Sequence, residues 1–101
     1  MNSKTKKAAL PRLYDTTKEF KKDWQRLSHS GRYNMGELKR TMLLLIGNDG
    51  PLPEDYLDHP LKGDWVNHRE CHVGGDFLLI YRIDDDSLIF VRAGTHAELF
   101  E

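Results

Sequence analysis

The sequence predicts an α+β fold in which an N-terminal helical hairpin packs on one face of an antiparallel sheet. Three observations predict it. Apolar residues recur at helical spacing in two early stretches, Phe20, Trp24 and Leu27, then Met35, Leu38, Met42, Leu45 and Ile46. Two later runs, Phe77–Ile83 and Leu88–Ala93, are apolar, short and bounded by turn residues, as buried strands are. Helices precede strands instead of alternating with them, which segregates the two into separate layers and leaves the far sheet face partly open.

Each element has its own local warrant. Residues 1–7 are polar and are expected to be flexible. Ala8 to Tyr14 alternate weakly, and Pro11, which has no N–H to donate, confines any strand there to a sheet edge. Thr16 with Glu19 matches a capping box, so the first helix is expected over about 17–28, ended by Ser30-Gly31. Asn34 with Glu37 opens the second helix, and Gly47 ends it. Residues 48–60 hold three prolines and a glycine and form a loop. Val66–Val73 alternates poorly but lies between Gly63-Asp64 and Gly74-Gly75, and reads as a strand. Asp84-Asp85-Asp86-Ser87 joins the two apolar strands as a hairpin. The stretch from Gly94 to Glu101 is a turn with a short helical or extended tail.

Length and composition set the class. A chain of 101 residues makes one domain able to fold without disulfides or metal. One cysteine, Cys71, cannot pair internally, which fits the reducing cytoplasm. No signal-like or membrane-spanning apolar run is present. Charge is uneven: residues 1–40 carry 11 Lys/Arg against 4 Asp/Glu, and residues 41–101 carry 4 against 12. A basic helical half, with Lys18, Lys21, Lys22 and Arg26 on one face, could meet phosphate or an acidic protein segment, or could serve solubility alone.

The chemistry-bearing residues are the histidines. His29 falls at a helix end among polar residues and reads as a surface group. His68 and His72, four apart on the expected strand, would share a face about 13 Å apart, too far to share one ion. His72 falls just before Gly74-Gly75-Asp76, at a strand end where placed chemistry occurs. His59, His72, His96 and Asp76 could ligate zinc, yet they are scattered singly along the chain. A metal-free acid–base set fits as well, because one imidazole can accept and another donate a proton near neutrality. Such a set could serve RNA cleavage by the RNA's own 2′-hydroxyl, with a base, an acid and a cation at the phosphate. Arg69 and Arg82, on the expected strands, are candidate cations, and Phe100 could stack a base.

The segments His59-Pro60-Leu61-Lys62-Gly63-Asp64-Trp65, Arg69-Glu70-Cys71-His72-Val73, Asp76-Phe77-Leu78-Leu79-Ile80-Tyr81-Arg82 and Gly94-Thr95-His96-Ala97-Glu98-Leu99-Phe100 follow one another in order. Together they resemble the YafQ branch of the RelE/ParE toxin superfamily, over about residues 15–101. The resemblance implies two helices against a twisted antiparallel sheet, like compact microbial ribonucleases. It also implies a bacterial type II toxin that cuts mRNA in the ribosomal A site with no metal and no cofactor. The implied catalytic positions are His59, His72, Asp76, His96 and Phe100, with Lys62, Arg69 and Arg82 on the RNA. The implied partners are a DinJ-like antitoxin, mRNA and the ribosome, with operator DNA met only through the antitoxin and no membrane. A ParE-like toxin that inhibits gyrase would share the fold and would not need this histidine set.

Overall fold

The computed structural model describes residues 10–101, so the expectation for residues 1–7 lies outside the described residues. Ten short elements follow in order: β1 (Leu13–Thr16), α1 (Lys18–Ser30), α2 (Met35–Gly47), a 3-10 turn (Glu54–Tyr56), β2 (His59–Pro60), a second 3-10 turn (Gly63–Trp65), β3 (Arg69–Gly74), β4 (Phe77–Asp84), β5 (Ser87–Thr95) and α3 (His96–Phe100). The strands form one sheet in the order β1-β5-β4-β3-β2. Every pairing is antiparallel except β1 with β5, which is parallel.

The early strand forms downstream of Pro11, where the chain recovers its donors. Arg12 gives its N–H to the Ile46 carbonyl and its guanidinium to the Leu45 carbonyl, 2.7 Å away. The cap of α1 is Thr17 and not Thr16. Thr16 still belongs to β1, whereas the Thr17 hydroxyl accepts the N–H of Phe20 and donates to the Val91 carbonyl. One residue thus ends the strand, starts the helix and ties both to β5. Gly31, at φ 71°, closes α1 in the left-handed conformation that a side chain resists. Asn34 caps α2 through the N–H of Glu37, as its position predicts.

The main core lies between the helices and the sheet. Phe20 and Leu27 of α1 and Leu38 and Leu45 of α2 pack with Cys71, Leu79, Tyr81, Leu88 and Phe90, all nearly or fully buried. On the opposite face, Leu78, Ile80, Val91 and Leu99 form a smaller cluster, with Leu61, Trp65 and Phe100 against it. The short C-terminal helix α3 therefore covers part of the face that α1 and α2 leave open. A capping box starts it: Thr95 accepts from the N–H of Glu98, and the Glu98 carboxylate accepts from the N–H of Thr95.

The third strand begins later than the sequence predicts. Residues 66–68 belong to a turn in which Val66 and His68 donate to the carbonyls of Gly63 and Trp65, and Asn67 takes φ 72°. His68 consequently leaves the strand, and its ring meets the edge of Trp65 at a centroid distance of 5.3 Å. The expected one-face pairing of His68 with His72 does not arise.

Where β1 ends, β5 would expose an unpaired edge. Asp23 of α1 fills that place: its carboxylate accepts the Ala93 N–H at 3.0 Å, Arg92 at 2.7 Å and Arg26 at 2.8 Å. Burial acts to raise the Asp23 pKa, but the hydrogen bonds from Arg92, Arg26 and Ala93 outweigh it and hold the carboxyl below its ordinary value.

Candidate active site

Strand alternation decides which side chains meet. In β3, Cys71 and Val73 join the core under the helices, so Glu70 and His72 point to the opposite face. There Glu70 pairs in register with His59 on one side and Ile80 on the other, and His72 pairs with Leu78. Glu70 is only 3 % exposed. A carboxylate buried that far needs partners, and two imidazoles supply them. His59 Nε2 is 3.4 Å from Glu70 Oε2, and His72 Nε2 is 3.9 Å from the same oxygen. Both Nδ1 atoms face backbone carbonyls, His59 that of Leu57 at 2.6 Å and His72 that of Gly75 at 3.3 Å.

A second doublet forms one turn away. The β3–β4 hairpin closes on Gly75 and Asp76, with Gly75 at φ 54°. Phe77 pairs with Thr95, which brings Asp76 beside the start of α3. Asp76 Oδ1 accepts the N–H of His96 at 3.3 Å and lies 3.9 Å from His96 Nδ1. One helical turn on, Phe100 lies against the His96 ring at a centroid distance of 5.0 Å and meets Trp65 at 5.9 Å. His96 and Asp76 are both exposed, so a substrate can reach them.

The structure thus gathers His59, His72, Asp76, His96 and Phe100 around one end of the open sheet face. The expected cations fare differently. Arg69, next to Glu70, points to the helix side and donates to both oxygens of Asp58, at 3.4 and 3.3 Å. Asp58 also accepts the Tyr81 hydroxyl at 2.7 Å. Burial acts against the Arg69 charge, but Asp58 and Tyr81 hold its pKa above the usual value. Arg69 therefore anchors the loop before β2 and is not positioned for RNA beside the histidines. Arg82 is on the open face but is engaged by Asp84 at 3.0 Å. Lys62, exposed just after β2, makes no ion pair among the described residues.

Glu70 is the candidate site residue that sequence reasoning missed. Its signal was present, because a residue two before His72 shares its face on any strand. What the spacing does not show is its pairing with His59 across the sheet edge. Among the described residues, no group of three or more His, Cys, Asp or Glu is placed to hold a metal ion.

Fold and site together define a compact α+β domain with paired histidines and carboxylates on the exposed end of one sheet. Over residues 12–101 the chain matches the family described as bacterial toxin of type II toxin-antitoxin system, YafQ. The mRNA interferase toxin YafQ of Escherichia coli strain K12 is 46% identical over 82 residues, covering 81% of this chain and 88% of the relative. The putative toxin YafQ of Haemophilus influenzae is 38% identical over 87 residues, covering 81% and 85%. The crystal structure of YafQ from E. coli strain BL21(DE3) superposes with a TM-score of 0.82 at 42% identity, over 89% of this chain and 99% of that one. The toxin chain in the E. coli DinJ-YafQ complex gives 0.80 at 43% identity, over 89% and 99%. This chain belongs to the YafQ family of type II toxins.

Proposed function

We propose that this toxin cleaves translated mRNA in the ribosomal A site, using its own side chains as acid and base. It is an endoribonuclease of the mRNA-interferase class, like its E. coli relative. The observation that carries the mechanism is the Asp76–His96 pair beside Phe100 on an accessible face, with His72 facing the carbonyl of Gly75, the residue before Asp76. In this mechanism a base takes the 2′-hydroxyl proton and the freed oxygen attacks the adjacent phosphorus. The 5′-oxygen then departs with a proton from an acid, leaving a cyclic phosphate and a 5′-hydroxyl. Each proton transfer contributes about 10²–10⁴-fold. Phe100, braced by Trp65, steers His96 and offers a face to a base. Lys62 meets the phosphate, Arg82 contributes once RNA competes with Asp84, and Arg69 has no part.

The site needs no metal, because proton transfer and charge stabilisation are both available from side chains. The toxin acts in the cytoplasm and is restrained by a DinJ-like antitoxin, as DinJ is found with YafQ in the E. coli complex. Lys18, Lys21 and Lys22, exposed on α1, fit an acidic antitoxin segment, whereas Arg26 is engaged by Asp23 and Glu98. Operator DNA is met only through the antitoxin.

The test is cleavage of a defined message on translating ribosomes by His72→Ala and His96→Ala, with folding checked by circular dichroism. Loss of cleavage by about 10²-fold or more in each supports the mechanism. Wild-type-like cleavage by both overturns the assignment, and an intact message with inhibited gyrase would place the chain with ParE-like toxins.

A further inference from the structure

We infer that Arg26 is a positioning residue for His96: from α1 it reaches the Glu98 carboxylate and holds α3, the helix that carries His96 and Phe100, in place over β5. The inference rests on the ribonuclease reading above, in which His96 reacts, and deepens it. α3 has five residues, too few to persist on its own hydrogen bonds. Contacts outside the helix must hold it. Leu99 is buried in the small cluster of the open face, and the N–H of His96 rests on Asp76 at 3.3 Å. Glu98 supplies the remaining hold. Its Oε1 accepts the N–H of Thr95 at 2.8 Å and Arg26 Nη2 at 3.3 Å. Among the described residues, the Arg26–Glu98 contact is the one hydrogen bond between α1 and α3.

Arg26 is itself set in place. Its Nη1 donates to the buried Asp23 at 2.8 Å, and its Nη2 also reaches the Ala93 carbonyl at 3.4 Å. A planar guanidinium presents its donors in a fixed fork, so these partners aim Nη2 at Glu98. An isolated exposed ion pair adds little stability. This pair ends a network that begins in the core, and its effect is on placement. Gly94 shows how closely the parts meet. A Cβ there would stand 2.6 Å from Glu98 Oε1 and 3.1 Å from Arg26 Nη2. Only bare backbone leaves the room in which the pair closes over β5. His96 lies midway between Gly94 and Glu98, so releasing Glu98 lets the turn that carries the ring tilt. The ring then moves against Asp76 and Phe100, now at 3.9 and 5.0 Å. A displacement of about 1 Å can cost about 10²-fold in rate.

The experiment reads rate and placement separately in the full chain. On translating ribosomes, Arg26→Ala is expected to lower kcat by about tenfold, with KM for ribosomes within about twofold of the wild type. Arg26→Lys keeps the charge without the fork and should fall between the two. Glu98→Gln keeps an acceptor for Thr95 and drops the charge that Arg26 meets. It should lose about threefold, and the double variant should be no slower than Arg26→Ala alone, as two partners in one interaction require. Asp23→Ala leaves Arg26 both of its Nη2 partners, so it should lose stability and keep its rate per folded molecule. Without substrate, ¹⁵N spectra of Arg26→Ala should show the His96 and Phe100 amides shifted and less ordered, with the Leu38 and Leu79 amides unmoved. Wild-type kcat in Arg26→Ala, unchanged His96 and Phe100 signals, or losses that multiply in the double variant would overturn the inference. A loss confined to KM would make Arg26 an RNA contact and overturn it equally. An inactive wild type would instead overturn the ribonuclease reading, and the spectra would still decide whether Arg26 places α3.

Discussion

At the scale of single residues, burial separates chemistry from support. His96 and Asp76 are exposed and meet through a backbone N–H and a ring nitrogen, an arrangement that a phosphate can enter without dismantling the core. Phe100 is different, being partly buried between His96 and Trp65. Phe100→Leu stays apolar, gives up some volume and loses the ring face. It should lower the cleavage rate by about tenfold, the scale of one stacking contact of 1–3 kcal/mol, while leaving the melting temperature within a few degrees. A larger fall in melting temperature than in rate would show that the ring serves packing alone. Cys71 makes the opposite case. It is fully buried, and burial, with Asp58 and Glu70 nearby, pushes its thiol pKa well above the ordinary value. The thiol should therefore resist iodoacetamide in the folded protein and react at once in urea. Rapid alkylation of the native protein would contradict this burial.

At the scale of elements, much of the fold was legible because local rules and tertiary demands agree. Asn34 caps α2 as its chemistry requires, α2 ends at Gly47 with Asn48 taking the left-handed cap, and the Asp84–Ser87 register produces the hairpin expected between β4 and β5. Legibility failed where two local answers were equally good. Thr16 and Thr17 both suit a cap, and only the hydrogen bond from Thr17 to Val91, 74 residues away, decides between them. The same limit hid the parallel pairing of β1 with β5 and the start of β3. For the site, the histidines were legible as residues of a known motif, but Glu70 was not. Its meaning comes from a register with His59 that no spacing along the chain reveals. The Arg69–Asp58 pair was hidden for the same reason, because Asp58 lies across the sheet edge from Arg69.

The α1–β5 junction carries its own prediction. Asp23 replaces a missing strand at the β5 edge and neutralises two guanidiniums there. Asp23→Ala leaves the Ala93 N–H and Arg92 without this acceptor. Removing one member of a buried pair costs about 3–5 kcal/mol, and the lower end applies here because Arg26 is half exposed and regains water. The urea midpoint should fall accordingly, with cleavage per folded molecule unchanged. A midpoint within experimental error of the wild type would refute the edge-capping role.

At the scale of the whole molecule, the buried titratable groups set the pH range over which the fold holds. Asp23 is depressed below its ordinary 3.8. Its contribution is therefore fully present above that value and is lost as pH falls through the lower folded pKa. Tyr81 and Cys71 act at the other end. Burial first, then the hydrogen bond to Asp58, raises the Tyr81 hydroxyl above its ordinary 10.0, and Cys71 is raised above 9.0. Their contribution is present below those ordinary values and is lost as pH climbs toward the folded ones. Stability should thus show a plateau from about pH 5 to pH 9 and decline on both sides. The alkaline decline is the sharper test, since Tyr81→Phe removes one of its two sources together with a hydrogen bond to a charged group, worth about 2 kcal/mol. In urea titrations from pH 7 to pH 11, Tyr81→Phe should begin less stable than the wild type and lose the smaller amount as pH rises, so that the two curves converge. Parallel curves across that range would mean that the Tyr81 proton is not linked to folding, and that the Asp58–Tyr81–Arg69 network holds the β2 loop by geometry alone.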